Sequence, residues 1–392
     1  MRVLIKQTVR TAVKVGLVDL ALQSVDGTKV KGNATRFQTF DEKGLKRLMK
    51  KVDKAIEELE AQCEVGERGS KVRLPEELVN KRKRREQVER ALKEVHAEDG
   101  PKRVNLTDGD AKLVKGRQGI VAGYNAQAMV SRLKEEHGGG MLITAEDVTN
   151  DADDHGQLLP MIEQAEENTG QAAETTLADG GYHSGKNLKA CEDGKHDVLM
   201  PEAQRKAVKK PYHKSQFDYD AERDEYRCPH GHVLIHKGVK RRTDRPEVQV
   251  YRCGGKVCRE CPAFGECTKD RRQGRAVEVG PYERLLRTHR ELMAQEESKE
   301  LYKERQETVE PVFGIMKERQ DARRFLLRGL KKVKAEWTLL CTAFNLRSLW
   351  RIWAKSPTTW RWATCREKKE QGNAPSIGTQ SRARGAKAPG RC

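Results

Sequence analysis

The residues best able to do chemistry are acids in unusual surroundings. Asp179 ends the apolar run Thr175-Thr176-Leu177-Ala178 and is followed by Gly180 and Gly181. The run reads as a short buried strand. Glycine tolerates backbone angles that other residues resist, so a ligand or metal can approach the main chain there. A helix-like segment starts at Ser184. Asp179 is therefore expected at the carboxyl end of a strand, where ligands bind in open α/β sheets. Capping of the following helix is the competing role. Asp26 lies in a strand-like segment from Ala21 to Val30, although Asp is depleted in strands. A bulge or turn at Gly27, or a metal ligand, would account for it. A third acid, Glu310, follows Tyr302 and Arg305, with Lys317 two turns beyond. Val309, Val312, Phe313 and Met316 mark a buried side, and Pro311 is expected to interrupt or start a helix.

Cysteines form the second group. Cys228, Cys253, Cys258, Cys261 and Cys267 lie close together, with His230, His232 and His236 nearby. Cys258-Arg259-Glu260-Cys261 is a C-x-x-C knuckle, a spacing that lets two thiolates reach one Zn²⁺. Cys228, Cys258, Cys261 and Cys267 are the expected ligands of a structural zinc, with Cys253 spare or replacing one of them. Such a site would stabilise a segment too polar to build a core. Unliganded cysteines in a loose β insertion are the other reading.

Composition narrows the class. The 392 residues carry a formal net charge of +18 and are 35% charged, which favours a polyanionic partner. Aromatics are only 5%, which argues against base-stacking platforms for single strands. No apolar run has the length of a membrane span, and residues 1–16 lack a signal-peptide core. A soluble, cytoplasmic protein without a membrane partner is expected. Disulfides are rare in that compartment, so the cysteines read as free thiols or ligands.

The elements that must position these groups follow in order. A strand with Asp26 comes first. Apolar residues at spacings of three and four from Lys43 to Glu64 then predict a helix. Gly66 to Ser70 ends it, and Pro75 opens a second helix. The pair reads as an antiparallel hairpin whose run Lys81 to Arg85 is a solvated face, with contact to DNA phosphates as the lesser reading. A strand is expected near Val104 to Leu106, and Tyr124–Val130 with Met141–Val148 reads as a hairpin across Gly138 to Gly140. Asn150 to Asp154 is expected to cap a helix from about Gly156 to Glu167, with cation binding the less common role of such a cluster. The strand of Asp179, a helix and the strand Asp197–Met200 follow. With the helical hairpin removed, this is the order of a ribonuclease H-like α/β domain. The expected division is 1–32 first strand, 33–103 helical hairpin, 104–202 core, 203–284 basic cysteine-rich insertion, 285–355 C-terminal helices and 356–392 disordered basic tail. An apolar helix from Gly329 to Trp353 should pack on the sheet, or alternatively form a dimer contact.

Asp26 in Val-Asp-Gly-Thr-Lys, Asp179 in Ala-Asp-Gly-Gly-Tyr, and Glu310 in Arg-Gln-Glu-Thr-Val-Glu-Pro-Val-Phe-Gly resemble the three acidic motifs of bacterial insertion-sequence transposases of the DDE class. The likeness is greatest to the branch with a cysteine-bearing insertion before the glutamate, and it runs from about Leu17 to Trp350. Tyr302, Arg305, Glu310 and Lys317 resemble that class's tyrosine-arginine-glutamate-lysine signature, with the arginine one position off the commonest spacing. The resemblance implies metal-dependent cleavage at transposon ends and strand transfer into target DNA. It implies two Mg²⁺ or Mn²⁺ ions held by Asp26, Asp179 and Glu310, with Asp26 bridging. Tyr302, Arg305 and Lys317, together with Tyr182 and His183, would face DNA and its phosphates. It further implies double-stranded DNA as partner, a homodimer on that DNA and association with the nucleoid. The chain starts almost at the first acidic strand, so it resembles a copy truncated at its N-terminus. A metal-dependent nuclease of the same fold and an inactive DNA-binding remnant are the alternatives.

Overall fold

The computed structural model describes residues 2–66, 76–116, 119–202, 211–243 and 245–355. The helix start at Pro75 and the basic tail 356–392 lie outside the described residues, as does most of the break from Gly66 to Ser70.

The chain opens with a helix that the sequence reading did not anticipate, α1 (Arg2–Lys14), which buries Ile5, Val9 and Ala12 on one face. Strand β1 (Val18–Lys31) follows and is longer than expected at its start. The short β2 (Thr39–Asp41) leads into α2 (Glu42–Gly66) and α3 (Glu76–Val95), and β3 (Arg103–Asn105) pairs back on β2 to close this excursion. Leu45, Val52, Ile56, Leu78 and Val88 are buried between the two helices. Arg82 and Arg85 pair with Glu60 and Asp53 of α2. The run is otherwise a mostly exposed face, as expected.

Strands β4 (Lys112–Gly116), β5 (Gly119–Leu133) and β6 (Gly140–Thr149) come next. The hairpin of β5 and β6 forms across the anticipated glycines, of which Gly138, Gly139 and Gly140 all have positive φ. Helix α4 (Leu158–Thr169), β7 (Thr175–Ala178), α5 (Gly185–Gly194) and β8 (Val198–Leu199) complete the unit. β5 lies antiparallel to β1 on one side and borders β4 and β6 on the other. β7 runs parallel to β1, and β8 parallel to β7. The result is a mixed six-stranded sheet in an α/β fold.

A second sheet of five strands follows: β9 (Asp218–Asp220), β10 (Glu225–Arg227), β11 (Val233–Arg242), β12 (Arg245–Arg252) and β13 (Ala276–Val279), with the short helix α6 (Gly255–Glu260) between the last two. It builds a core of its own, contrary to expectation. Phe217, Tyr226, Leu234, Tyr251 and Val277 pack there with Cys253 and Cys258.

Three helices return to the first sheet: α7 (Glu283–Ala294), α8 (Glu296–Arg319) and α9 (Leu330–Lys355). α8 continues through Pro311, which corrects the expected interruption. Pro311 cannot donate to the carbonyl of Glu307, but both residues are exposed, so water can satisfy that carbonyl. α9 packs on the sheet as expected. Its Trp337 Nε1 donates to the Gln127 carbonyl at 2.9 Å, and Asn345 bonds both backbone groups of Ile143 at 2.8 Å. Val309, Val312 and Met316 of α8 share one core with α1, α9 and the strands, while α4 and α5 bury a second core on the opposite face.

Candidate active site

Asp26 sits in the middle of β1, opposite Ala128 of β5, and the ladder is regular through Gly27. The only register shift in that pairing lies between Val18 and Gln23, so no bulge accounts for Asp26. Strand alternation sends Val25 into the core of α4 and α5, and Val30 into that of α8 and α9. Asp26, two pairs of positions before Val30, shares its face and meets α8. The parallel ladder of β1 and β7 ends at Val25↔Ala178. Asp26 and Asp179 are therefore the next residues on adjacent parallel strands. Asp179 does not cap α5, because Ser184 does, its side chain accepting from the Asn187 amide. The turn after Asp179 is instead closed by the Tyr182 amide, which donates to the Asp179 carbonyl at 2.9 Å.

Helix α8 supplies the remaining groups. Arg305 is buried, and its Nη2 lies 3.0 Å from Asp26 Oδ2 and 3.9 Å from Asp179 Oδ2. One guanidinium thus neutralises two acids that would otherwise repel. Burial pushes the Asp26 carboxyl up to about 6, against the pull of Arg305 and of the Gly27 amide, while Asp179 and Asp154 add to the rise. Tyr302 is half-buried beside the same groups, and its hydroxyl is raised by burial, with the Arg305 charge opposing. Lys317 donates to Thr28 Oγ1, two residues beyond Asp26. Glu310 is exposed, five residues along α8 from Arg305 and close enough for its charge to act on that guanidinium. The fold thus draws Asp26 and Asp179 together with Glu310 nearby. Among the described residues, no three His, Cys, Asp or Glu side chains are placed as a finished metal site.

Four side chains sit in other surroundings than the sequence suggested. Tyr182 was expected to reach DNA, but it is wholly buried and its hydroxyl donates to Gln127 Oε1. His183 is partly buried and packs against His289, with ring centroids 5.8 Å apart, and burial lowers its pKa. Arg305, expected on phosphate, is held by carboxylates here. Asp154, read as part of a capping loop, instead accepts from Asn125, Gln127 and Lys29 close behind Asp26. Its partners are distant in sequence, so no local spacing announces it.

The thiols gather elsewhere. Cys228, Cys253, Cys258, Cys261 and Cys267 line one cavity of about 20 Å³ with His230 and His232. The Arg275 amide donates to Cys258 Sγ at 3.3 Å. All five are free of disulfides, and they converge without forming a closed ligand set.

Residues 227–350 match the family model described as the transposase DDE domain. The match covers less than half of the chain and supports a DDE-class transposase. Within it fall the cysteine-bearing sheet from β10 onward, α7, α8 with Glu310, and most of α9. Asp26 and Asp179 precede the matched stretch and are joined to it through Arg305. No curated protein and no solved structure gives a match. Transposases of this class act on DNA and generally use divalent metal ions. No helix among the described residues is long and apolar enough to cross a membrane.

Proposed function

We propose that this chain cuts DNA at transposon ends and joins the freed 3′ hydroxyl to target DNA, with Asp26, Asp179 and Glu310 as its catalytic acids. The observation that carries the reading is Arg305, a buried cation held between two carboxylates on adjacent parallel strands, with a third acid on its own helix. The strand order β6-β5-β1-β7-β8, with β5 alone antiparallel to β1 among β1's neighbours, supports a ribonuclease H-like core. On this reading that core comprises 1–32, 104–202 and 285–355, interrupted by the helical hairpin and the cysteine-bearing insertion, with 356–392 as a basic tail.

The donor set fits hard divalent cations. It consists of carboxylate oxygens, and a positive charge already sits between two of them. Two bound Mg²⁺ or Mn²⁺ ions would activate the attacking oxygen and stabilise the leaving one. Asp26, placed between Asp179 and α8, is suited to bridge. For the acids to take cations, Arg305 must let go of Asp26 and Asp179, which frees it to meet a phosphate. Lys317 and Tyr302 flank the same edge. The insertion would bind Zn²⁺ through Cys228, Cys258, Cys261 and Cys267, a role supported by their convergence on a cavity of single-ion size. Double-stranded DNA is the partner, bound by a homodimer at the nucleoid. The exposed Leu339, Leu346 and Trp350 of α9, opposite its sheet-packed side, support self-association.

The test is Mg²⁺-dependent cleavage and joining of the element's own terminal repeats. Asp26→Ala, Asp179→Ala and Glu310→Ala should each lower cleavage at least a hundredfold, since removal of a single catalytic group typically costs that much. Cleavage unchanged in all three would refute the assignment. Cleavage without joining would indicate a nuclease, and DNA binding without cleavage by the unsubstituted chain a remnant.

A further inference from the structure

The β1–β7 ladder stops just before Asp26 and Asp179, so sheet hydrogen bonds do not fix one acid against the other. The loop preceding α4 does. Asp154 Oδ1 accepts from Asn125 Nδ2 at 2.6 Å, Gln127 Nε2 at 2.8 Å and Lys29 Nζ at 3.3 Å. Asn125 and Gln127 are wholly buried on β5, and Lys29 is on β1, three residues past Asp26. Asp154 thereby fastens its loop to β1, which carries Asp26, and to its neighbour β5.

The same loop is joined to the Asp179 turn directly through Asn187, and by way of Gln127 through Tyr182. Tyr182, three residues past Asp179, donates its hydroxyl to Gln127. Asn187 Nδ2 donates to the His155 carbonyl at 2.8 Å and to the Tyr182 carbonyl at 2.7 Å, joining the two loops. Asp154 Oδ2 lies 3.4 Å from where a side chain on Gly181 would begin. The cluster also fills the space behind Asp26: a side chain on Gly27 would start 2.5 Å from Gln127 Nε2 and 2.6 Å from Asp154 Oδ1. One Asp154 oxygen serves three donors, one of them a lysine, so the carboxylate anchors the loop.

We propose that Asp154 is a positioning residue, setting the Asp179 turn against Asp26 so that both acids can hold the same ions. The inference rests on the proposed function, because it takes these two acids as the ligands. Groups that orient metal ligands typically change affinity 10–100-fold when removed.

The experiment is Mn²⁺ binding to the purified full chain, followed by electron paramagnetic resonance, beside thermal unfolding without metal. Asp154→Ala should weaken Mn²⁺ binding about tenfold. Asp154→Asn, which keeps an acceptor oxygen but loses the charge facing Lys29, should fall between it and the unsubstituted chain. Asn187→Ala should shift affinity in the same direction, and it carries the test should Asp154→Ala not fold. A purely structural role would lower the unfolding midpoint and leave the Mn²⁺ affinity of the folded protein within twofold of wild type; that outcome overturns the proposal. Binding that is equally tight in Asp26→Ala would show that the ions sit elsewhere, and would overturn the reading of the site together with this inference.

Discussion

The molecule gathers potential metal donors twice, by opposite means. At the sheet edge, Asp26, Asp179 and Glu310 come from distant parts of the chain, and a large core on each face of the sheet brings them close. In the insertion, Cys228 to Cys267 are near in sequence, and the sulfurs themselves form part of the core. The acids are hard oxygen donors on a scaffold that stands without them. The thiols are soft donors that the local structure needs for packing. Removing a ligand should therefore have different consequences in the two places: lost chemistry at the sheet edge, and lost structure in the insertion.

The largest effect is expected in the insertion. Cys258 is central there, buried, in hydrogen-bond contact with the Arg275 amide, and 3.0 Å from where a side chain on Gly274 would begin. With zinc held there as proposed, Cys258→Ala or chelation should expose residues between about 211 and 282 to protease, because structural zinc supplies folding free energy of about 10 kcal/mol or more. The sheet carrying Asp26 should stay resistant. If chelation leaves the insertion protected while Cys258→Ala opens it, the thiols act as packing groups and the contrast between hard and soft sites dissolves.

A smaller loss is expected from Gly27→Ala. The added methyl would meet Gln127, Asp154 and Asn125, which are locked to one another by hydrogen bonds. Overpacking of this kind costs about 1–3 kcal/mol. Urea unfolding reads it directly, and a change below about 0.5 kcal/mol, the range of neutral surface substitutions, would show that the cluster behind Asp26 yields. Such yielding would blur the distinction drawn between a preformed acidic edge and a ligand-built thiol core.

The two regions also differ in how far they could be read from sequence. Asp179 was legible because an apolar run breaks at two glycines, and Asp26 because an acid stands in a strand-like segment. The β5–β6 hairpin showed in its alternation and glycine turn. Pro311 misled, since local preference argued for a break whereas α8 packs through it with the proline on the wet side. Asp154 escaped because its meaning depends on Lys29, Asn125 and Gln127, which only the fold brings near. The insertion was underestimated for another reason. Most of its core is aromatic rings and thiols, with only Leu234 and Val277 as buried aliphatics, and a count of aliphatic residues does not register the rest.

The last expected effect is a dependence on pH and concerns Glu146, a buried acid in the scaffold of the sheet. It lies on β6 against α9, and its Oε1 accepts from Thr338 Oγ1 at 2.8 Å. Burial pushes its carboxyl up to about 7. The Thr338 hydrogen bond opposes that rise, Asp147 adds to it, and Arg2 and Lys334 pull it down. Because the folded value lies above the usual 4.5, the folded state binds the proton more tightly than the unfolded chain does. The stability this provides is complete below about pH 4.5 and is lost as pH rises through about 7. A single proton can give a slope of at most about 1.4 kcal/mol per pH unit in that window. Glu146→Gln should keep the hydrogen bond from Thr338 and remove the slope, so that the variant overtakes the wild type in unfolding free energy above neutral pH. Among the described residues the insertion buries no carboxylate. Protease protection of residues 211–282 should therefore be indifferent to the same pH range. If the insertion shares the slope, or if Glu146→Gln keeps it, the two regions do not unfold as separate units and the comparison between them fails.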